Sequence, residues 1–137
     1  MGEVRVQVRL INAGDETLAR RGYIAPEQVR TYETSALADT GAVCTILPKE
    51  VVDRLGLEAP VERGVEYAEG RNESVPLTEA LVVVINNRRT SDEALVLGNE
   101  VLIGQTVLEK LDLHVDCANQ RVIPNPAHPD QTINKVK

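Results

Sequence analysis

The residues of this chain that could do chemistry are Asp39, Thr40 and Gly41, which interrupt an otherwise apolar segment. Apolar residues lead into the triplet from residue 36 and leave it through residue 47. A strand on each side would hold the carboxylate of Asp39 at a tight glycine turn, where it can exchange a proton with a bound reactant. The plainer interpretation is an ordinary β-turn, because Asp, Thr and Gly all favour turns.

A second segment strengthens the chemical interpretation. Residues 101–104 read Val-Leu-Ile-Gly and lie about sixty residues after the triplet, just before a predicted helix. An apolar hairpin is predicted between the two segments. The bare triplet occurs by chance in some chains of this size, but the two segments in this order are a more specific signal.

Residues 36–47 resemble the active-site segment of the retroviral-type (retropepsin-like) aspartic proteases, and residues 101–108 resemble the second signature of that family. The similarity extends over about residues 30–124, and residues 108–121 look most like the cellular and bacterial single-domain members. The resemblance implies an all-β fold, with a retropepsin-like closed β-barrel lobe and one or two short helices. Dimerisation would complete the acid-protease fold.

The resemblance also implies roles for individual residues. Asp39 would be the catalytic carboxylate, Thr40 would hydrogen-bond across a dimer axis, and Gly41 would let backbone approach the carboxylates. Gly104 would pack behind the active-site loop. Substrate would be contacted by the residues after the triplet and by a hairpin acting as a flap, namely Ala42, Val43, Tyr67, Ala68, Glu69, Gly70 and Arg71.

Only one copy of the triplet is present, and no second Asp-Thr-Gly or Asp-Ser-Gly follows. Two carboxylates held close share one proton, and this pair activates a water that attacks the peptide bond. The resemblance therefore implies an aspartic endopeptidase in which a homodimer supplies one Asp39 from each subunit to a peptide or protein substrate. Neither a metal nor a cofactor is expected.

Two alternatives remain open. The first is a catalytically silent binding or scaffold protein with the retropepsin fold. A charged hairpin tip favours it, as does the uncharged character of Val43, Cys44 and Gln105, where viral enzymes carry charges that hold the dimer and the substrate backbone. The second is a small β-barrel unrelated to proteases, in which the two signatures coincide by chance.

The composition sets wider limits. The length of 137 residues predicts one domain at residues 1–124, followed by a polar, proline-containing tail at 125–137 that is expected to be mobile. Phenylalanine and tryptophan are absent, so the core must be aliphatic. The net charge of −6 argues against a nucleic-acid partner. No segment is long enough to span a membrane, and the start lacks a signal-peptide core, so a cytoplasmic location is expected.

Hydrophobic periodicity predicts the elements that must position the triplet. Asn12–Asp15 is predicted to be a turn, and Gly98-Asn99 is predicted to join two strands as a hairpin. Arg88 and Arg89 are expected in a solvated loop. Strands are predicted at residues 4–10, 29–38, 43–47, 61–67, 75–85, 93–97, 100–103, 113–117 and 121–123, and helices at 48–55 and 106–111.

Overall fold

A computed structural model describes residues 3–136 and is rich in β structure, with 40% of residues in strands and 19% in helices. The prediction of a mainly β protein is therefore confirmed. Met1, Gly2 and Lys137, which the predicted domain and tail include, lie outside the described residues. Within residues 3–136, no helix has both the length and the apolar character that a membrane crossing requires.

Eleven strands and three α-helices form the described part of the chain. The strands are β1 (Arg5–Ile11), β2 (Thr31–Ala38), β3 (Thr45–Leu47), β4 (Val61–Glu66), β5 (Asn72–Leu77), β6 (Leu81–Ile85), β7 (Arg88–Asp92), β8 (Ala94–Val96), β9 (Leu102–Ile103), β10 (Leu113–Asp116) and β11 (Arg121–Pro124). The helices are α1 (Ala13–Arg20), α2 (Lys49–Leu55) and α3 (Gln105–Leu111), and a 3-10 turn covers Pro26–Gln28.

Nine of the strands form one sheet in the order β4-β5-β8-β3-β9-β2-β1-β6-β7, and β10 and β11 pair separately. The predicted closed barrel is not found among residues 3–136, because β4 and β7 remain the two edges of the sheet. Near the β7 edge, Lys110 of α3 donates from Nζ to the carbonyl of Ser91 at 2.9 Å. A helix therefore lies where a closed barrel would have a pairing strand.

The predicted count of one or two helices is wrong, because α1 replaces the turn expected at Asn12–Asp15. The side chain of Asn12 accepts a hydrogen bond from the amide of Asp15 at 2.9 Å, so Asn12 caps a helix. Asp15 is buried and forms a two-pronged ion pair with Arg30 at 2.8 and 2.9 Å. That pair fixes α1 against the start of β2.

Two predicted strand connections differ from the structure. β8 and β9 do not form a hairpin around Gly98-Asn99; they lie on opposite sides of β3, with β8 parallel and β9 antiparallel to it. The predicted strand at 75–85 is two strands. β5 ends at Leu77, where it pairs with β8, and β6 begins at Leu81 and pairs with β1. The tight hairpin instead joins β6 to β7 through Asn86 and Asn87, whose φ values are 52° and 64°.

The core is aliphatic, as the composition requires. Alternate residues of β1 point inward and are buried, and they pack against the inner faces of the other strands and of α2 and α3. The largest fully buried side chains are Leu10, Leu47, Leu55, Leu81, Ile85, Ile103, Leu108 and Leu111.

Arg88 is buried, contrary to the prediction of a solvated loop, whereas its neighbour Arg89 is exposed. Its guanidinium donates to the carbonyls of Leu111 and Asp112 at 3.0 Å and to the carbonyl of His128 at 2.8 Å. Two of those acceptors are carbonyls at the end of α3, where the helix itself supplies no amide donor. The arginine therefore links β7 to α3 and to the segment after residue 124.

Residues 125–136 contain no helix or strand, but hydrogen bonds hold this segment against the end of α3. His128 contacts Asp112 at 2.6 Å through Nδ1, and the amide of Ile133 donates to the same carboxylate at 3.2 Å. Asn134 reaches the carbonyl of Lys110 at 3.2 Å. We therefore expect residues 125–134 to be more ordered than their composition predicts.

Candidate active site

Asp39 lies at the end of β2, where β9 holds the strand in place. The amide of Leu37 donates to the carbonyl of Val101 at 3.0 Å, and the amide of Asp39 donates to that of Ile103 at 2.9 Å. β9 pairs with β2 on one side and with β3 on the other, so it separates the two strands that the Asp39 loop connects. Residues 39–44, here called the Asp39 loop, therefore pass around the end of β9.

Gly104 lies directly behind this loop, as the resemblance implied. A Cβ atom at residue 104 would lie 2.7 Å from the carbonyl oxygen of Ala42 and 2.8 Å from that of Cys44. Real Cβ atoms essentially never approach other atoms so closely, and both obstacles are backbone. Only glycine at this position allows α3 to pack against the loop.

The first turn of α3 binds the loop through backbone amides. The amide of Gln105 donates to the carbonyl of Ala42 at 2.7 Å, and that of Thr106 donates to the carbonyl of Val43 at 3.3 Å. The first amides of a helix have no acceptor within the helix, and here the loop supplies it. The helix was predicted at residues 106–111; it begins one residue earlier, at Gln105, with Gly104 as its cap, because the loop satisfies these donors.

The carboxylate of Asp39 is held by its own turn. Its Oδ1 accepts a hydrogen bond from the amide of Gly41 at 2.8 Å, and its carbonyl accepts one from the amide of Ala42 at 3.2 Å. Within residues 3–136, Oδ2 makes no hydrogen bond and the carboxylate forms no ion pair. Asp39 is half-buried, so one oxygen is fixed and the other remains free to meet a reactant.

Thr40 and Gly41 are exposed at the end of the turn. Thr40 borders an open cleft of about 350 Å³, whose wall includes Leu108, Leu113 and Cys117. Val43, on the far side of the turn, is 71% exposed, which is unusual for a valine beside a buried strand. The turn and its neighbours therefore present a partly apolar surface to solvent.

The residues after the turn anchor it to β7. Thr45 is fully buried, and its hydroxyl donates to Oδ2 of Asp92 at 2.7 Å. Burial raises the pKa of the Cys44 thiol, and the nearby Asp92 carboxylate raises it further. A raised pKa keeps the thiol protonated and poorly nucleophilic, which is consistent with a structural role for Cys44.

The hairpin of β4 and β5 ends in a tight turn at residues 67–71. The amide of Gly70 donates to the carbonyl of Tyr67 at 2.8 Å, and Gly70 has a φ of 94°. The guanidinium of Arg71 lies 4.2 Å from the centre of the Tyr67 ring, and the Tyr67 hydroxyl donates to Glu73 at 2.6 Å. That hydrogen bond is the main reason why the pKa of Tyr67 is raised.

Arg71 also pairs with Glu69 at 3.1 Å and with Glu73 at 3.9 Å. The charges of the tip therefore compensate one another. No hydrogen bond joins this tip to the Asp39 loop within the part of the chain that the structure describes.

The structure thus gathers Asp39, Thr40, Gly41, Ala42 and Val43 in one braced loop. The predicted flap residues, Tyr67, Ala68, Glu69, Gly70 and Arg71, lie together at a separate hairpin tip. Sequence reasoning missed the pairing of Thr45 with Asp92, whose separation of 47 residues left no local signal.

No protein-family profile matches this chain, and no curated protein matches it significantly. Residues 3–136 contain no group of three or more side chains suited to hold a metal ion. The geometry of the Asp39 loop and the chemistry of its carboxylate are therefore the features that bear on function.

Proposed function

We propose that the protein is an aspartic endopeptidase, active as a homodimer that joins two Asp39 loops. The observation that supports this best is a half-buried carboxylate, fixed by the Gly41 amide and braced from behind by Gly104. An ordinary surface turn does not require a strand such as β9 between its two flanking strands. It also does not require a glycine behind it, as Gly104 is required here by close packing. Such support is what catalytic geometry demands, since small misplacements of a reacting group lower the rate strongly.

One carboxylate is insufficient for this chemistry, so a partner must supply the second. Two facing Asp39 carboxylates would share a single proton. The ionised member accepts a proton from water, and the water oxygen attacks the scissile carbonyl while the protonated member donates to the carbonyl oxygen. Thr40 suits contact with a second copy because it is exposed at the end of the turn, and a two-fold axis would bring both turns together.

The hairpin tip would cover the peptide. An extended substrate would pair with backbone near Ala42 and Val43 on one side and with the tip at residues 67–71 on the other. The carbonyls of Ala42 and Val43 already accept from α3, so the substrate would pair with the amide of Val43, which has no backbone acceptor within residues 3–136, and with the exposed backbone of Ala68 and Glu69 at the tip. The tip would then act as a flap that opens to admit the chain and closes to exclude water.

The second candidate function is peptide or protein binding without cleavage. The observation that favours it is the tip, where Arg71 already has partners in Tyr67, Glu69 and Glu73. A tip that satisfies its own charges has less to gain from closing over a substrate.

Digestion of a peptide library separates the two functions. We expect the wild-type protein to cleave, and Asp39→Asn to lose at least about 100-fold in rate, because an amide cannot exchange the proton. Asp53→Asn is the matched control, since Asp53 is an exposed aspartate on α2 whose one ion pair among residues 3–136 is with Lys49. Equal cleavage by wild type and Asp39→Asn would exclude the aspartic mechanism, and peptide binding without cleavage by the wild type would support the binding protein.

A further inference from the structure

A groove on the surface of the described residues lies far from the Asp39 loop. It is a groove of about 760 Å³ between α1, the 3-10 turn and the outer face of β1, β2 and β6. It lies near Thr31, at the opposite end of β2 from Asp39, and eight residues of strand separate the two by about 25 Å. We call it the arginine groove and define it by Arg9, Arg20, Arg89, Ile11 and Val84.

Its charge differs from that of the chain. Three arginines and two glutamates, Glu16 and Glu27, line the groove, whereas the whole chain carries a net charge of −6. Glu16 pairs with both Arg20 and Arg89, so a single carboxylate is shared between two guanidinium groups. Arg9 lies on the exposed face of β1 and forms no ion pair within residues 3–136.

The groove also has apolar walls. Ile11 and Val84 contribute to the strand side, and Ala19, Pro26 and Val29 contribute to the side of α1 and the 3-10 turn. The helical wall is fixed to the start of β2, because Asp15 at the start of α1 accepts two hydrogen bonds from the guanidinium of Arg30. The groove therefore combines apolar walls with charged side chains, and small-molecule sites use such a combination to hold an apolar body and to orient a polar group.

We propose that the arginine groove binds a small organic anion, with a carboxylate or phosphate group attached to an apolar body. The anionic group would meet Arg9 and Arg89, since the guanidinium fork matches the oxygens of both groups. The apolar body would lie along Ile11, Val29 and Val84. Binding here leaves the Asp39 loop uncovered, so the site is independent of the proposed peptidase activity.

Titrations followed by amide NMR shifts test the proposal. The probes are octanoate, octyl phosphate, inorganic phosphate and octylammonium. We expect one or both organic anions to shift the amides of residues 9–11, 19–31 and 84–89, and octylammonium to leave them unchanged. The tighter of the two organic anions identifies the preferred group, and inorganic phosphate should bind more weakly than octyl phosphate because it lacks the apolar body.

Matched variants locate the site. Arg9→Gln should weaken binding of the preferred anion about tenfold, the usual effect of losing a hydrogen bond to a charged group. Arg5→Gln is the control, because Arg5 lies on the same exposed face of β1 but outside the groove. Asp39→Asn should bind as tightly as wild type, whether or not the protein cleaves peptides.

Three results would overturn the assignment: octylammonium binding as tightly as the preferred organic anion, an affinity of Arg9→Gln equal to that of Arg5→Gln, or shifts that lie outside the groove. Inorganic phosphate binding as tightly as octyl phosphate would overturn the role given to the apolar walls. Thermal unfolding of Arg9→Gln at the wild-type temperature would show that any lost affinity does not come from a lost fold.

Discussion

At the residue scale, the position of Gly104 makes a sharp prediction about stability. Gly104→Ala should destabilise the protein by about 1–3 kcal/mol, because the new methyl group would meet the backbone of Ala42 and Cys44. Cleavage should fall as well, since the Asp39 loop must shift to make room. Denaturant unfolding and peptide hydrolysis measure the two effects.

Gly64→Ala provides the control for this substitution. Gly64 lies in β4, and a Cβ atom there would meet nothing within 4 Å. Its stability should therefore change by no more than about 1 kcal/mol. Equal losses at the two positions would contradict the packing role given to Gly104.

Asp112 predicts how the stability of the protein changes at acid pH. The side-chain amide of Asn125, and after it His128, hold the pKa of Asp112 below its ordinary value of 3.8. The contribution of this carboxylate to the free energy of unfolding is therefore fully present above pH 3.8. It is lost as the pH falls through the lower pKa that Asp112 has in the folded state. Asp112→Asn should lose stability at neutral pH and flatten the acid side of the stability curve.

The asparagine variant suits this test because Asp112 has a φ of 58°, which asparagine tolerates well. Asp130→Asn, in the same C-terminal segment, is the control and should leave the curve unchanged. Urea unfolding between pH 2 and pH 7 gives the comparison. An unchanged acid limb in Asp112→Asn would show that this carboxylate does not fasten the segment.

Single residues were predictable where local geometry decides their role. The Asp39 turn follows from a short sequence signal that carries its own physical reason, whereas the packing of Gly104 behind the loop was expected from the family resemblance alone. Arg88 was not predictable, because its three acceptors come from Leu111, Asp112 and His128, which are distant in sequence. An arginine in a polar stretch reads as solvated unless the partners that bury it are known.

At the element scale, the hairpin of β4 and β5 is the element whose proposed role is most open to test. Replacing residues 67–71 by a two-residue Asn-Gly turn should lower kcat/KM by at least about tenfold while changing the melting temperature little, because the tip contacts itself rather than the core. Peptide hydrolysis and thermal unfolding measure the two quantities. Unchanged cleavage after this shortening would show that the hairpin is not a flap.

Elements with a clear hydrophobic period were predicted from the sequence. Elements whose end residues suit more than one structure were not. The alternation of apolar and polar residues in β1 is typical of a strand alone, and Gly56 at the end of α2 is typical of a helix end. Asn12 and Asp15 allow no single interpretation, since both residue types favour turns and helix caps alike. The split at residues 78–80 was missed because a short polar interruption, Thr78 and Glu79, does not by itself show that the pairing partner changes from β8 to β1.

At the scale of the whole molecule, the proposed active site predicts that an inactive subunit will silence an active one. Wild-type protein at fixed concentration, mixed with an equal amount of Asp39→Asn, should lose about half of its activity, because random pairing leaves half of its subunits in mixed dimers. Sedimentation equilibrium should show the dimer over the same concentrations.

Asp53→Asn, added in the same amount, should instead about double the total activity, because it keeps Asp39 and every mixed dimer is complete. Activity that does not respond to Asp39→Asn would show that one chain carries a complete site. A strict monomer that cleaves peptides would lead to the same conclusion.

The sheet order lay beyond sequence reasoning, because strand partners separated by sixty residues leave no local pattern. The pairing of β2 with β9 is the clearest case. It has a consequence for synthesis on the ribosome. The Asp39 loop cannot reach its final shape until residues 101–106 have emerged, since those residues supply its neighbouring strand, its rear packing and its amide donors. Contacts of such high sequence separation form late, at the entropic cost of closing a long loop. A nascent chain that ends before β9 would therefore carry the triplet without the geometry of the proposed active site, and if the protein is the proposed peptidase, such an incomplete subunit could not cleave its neighbours.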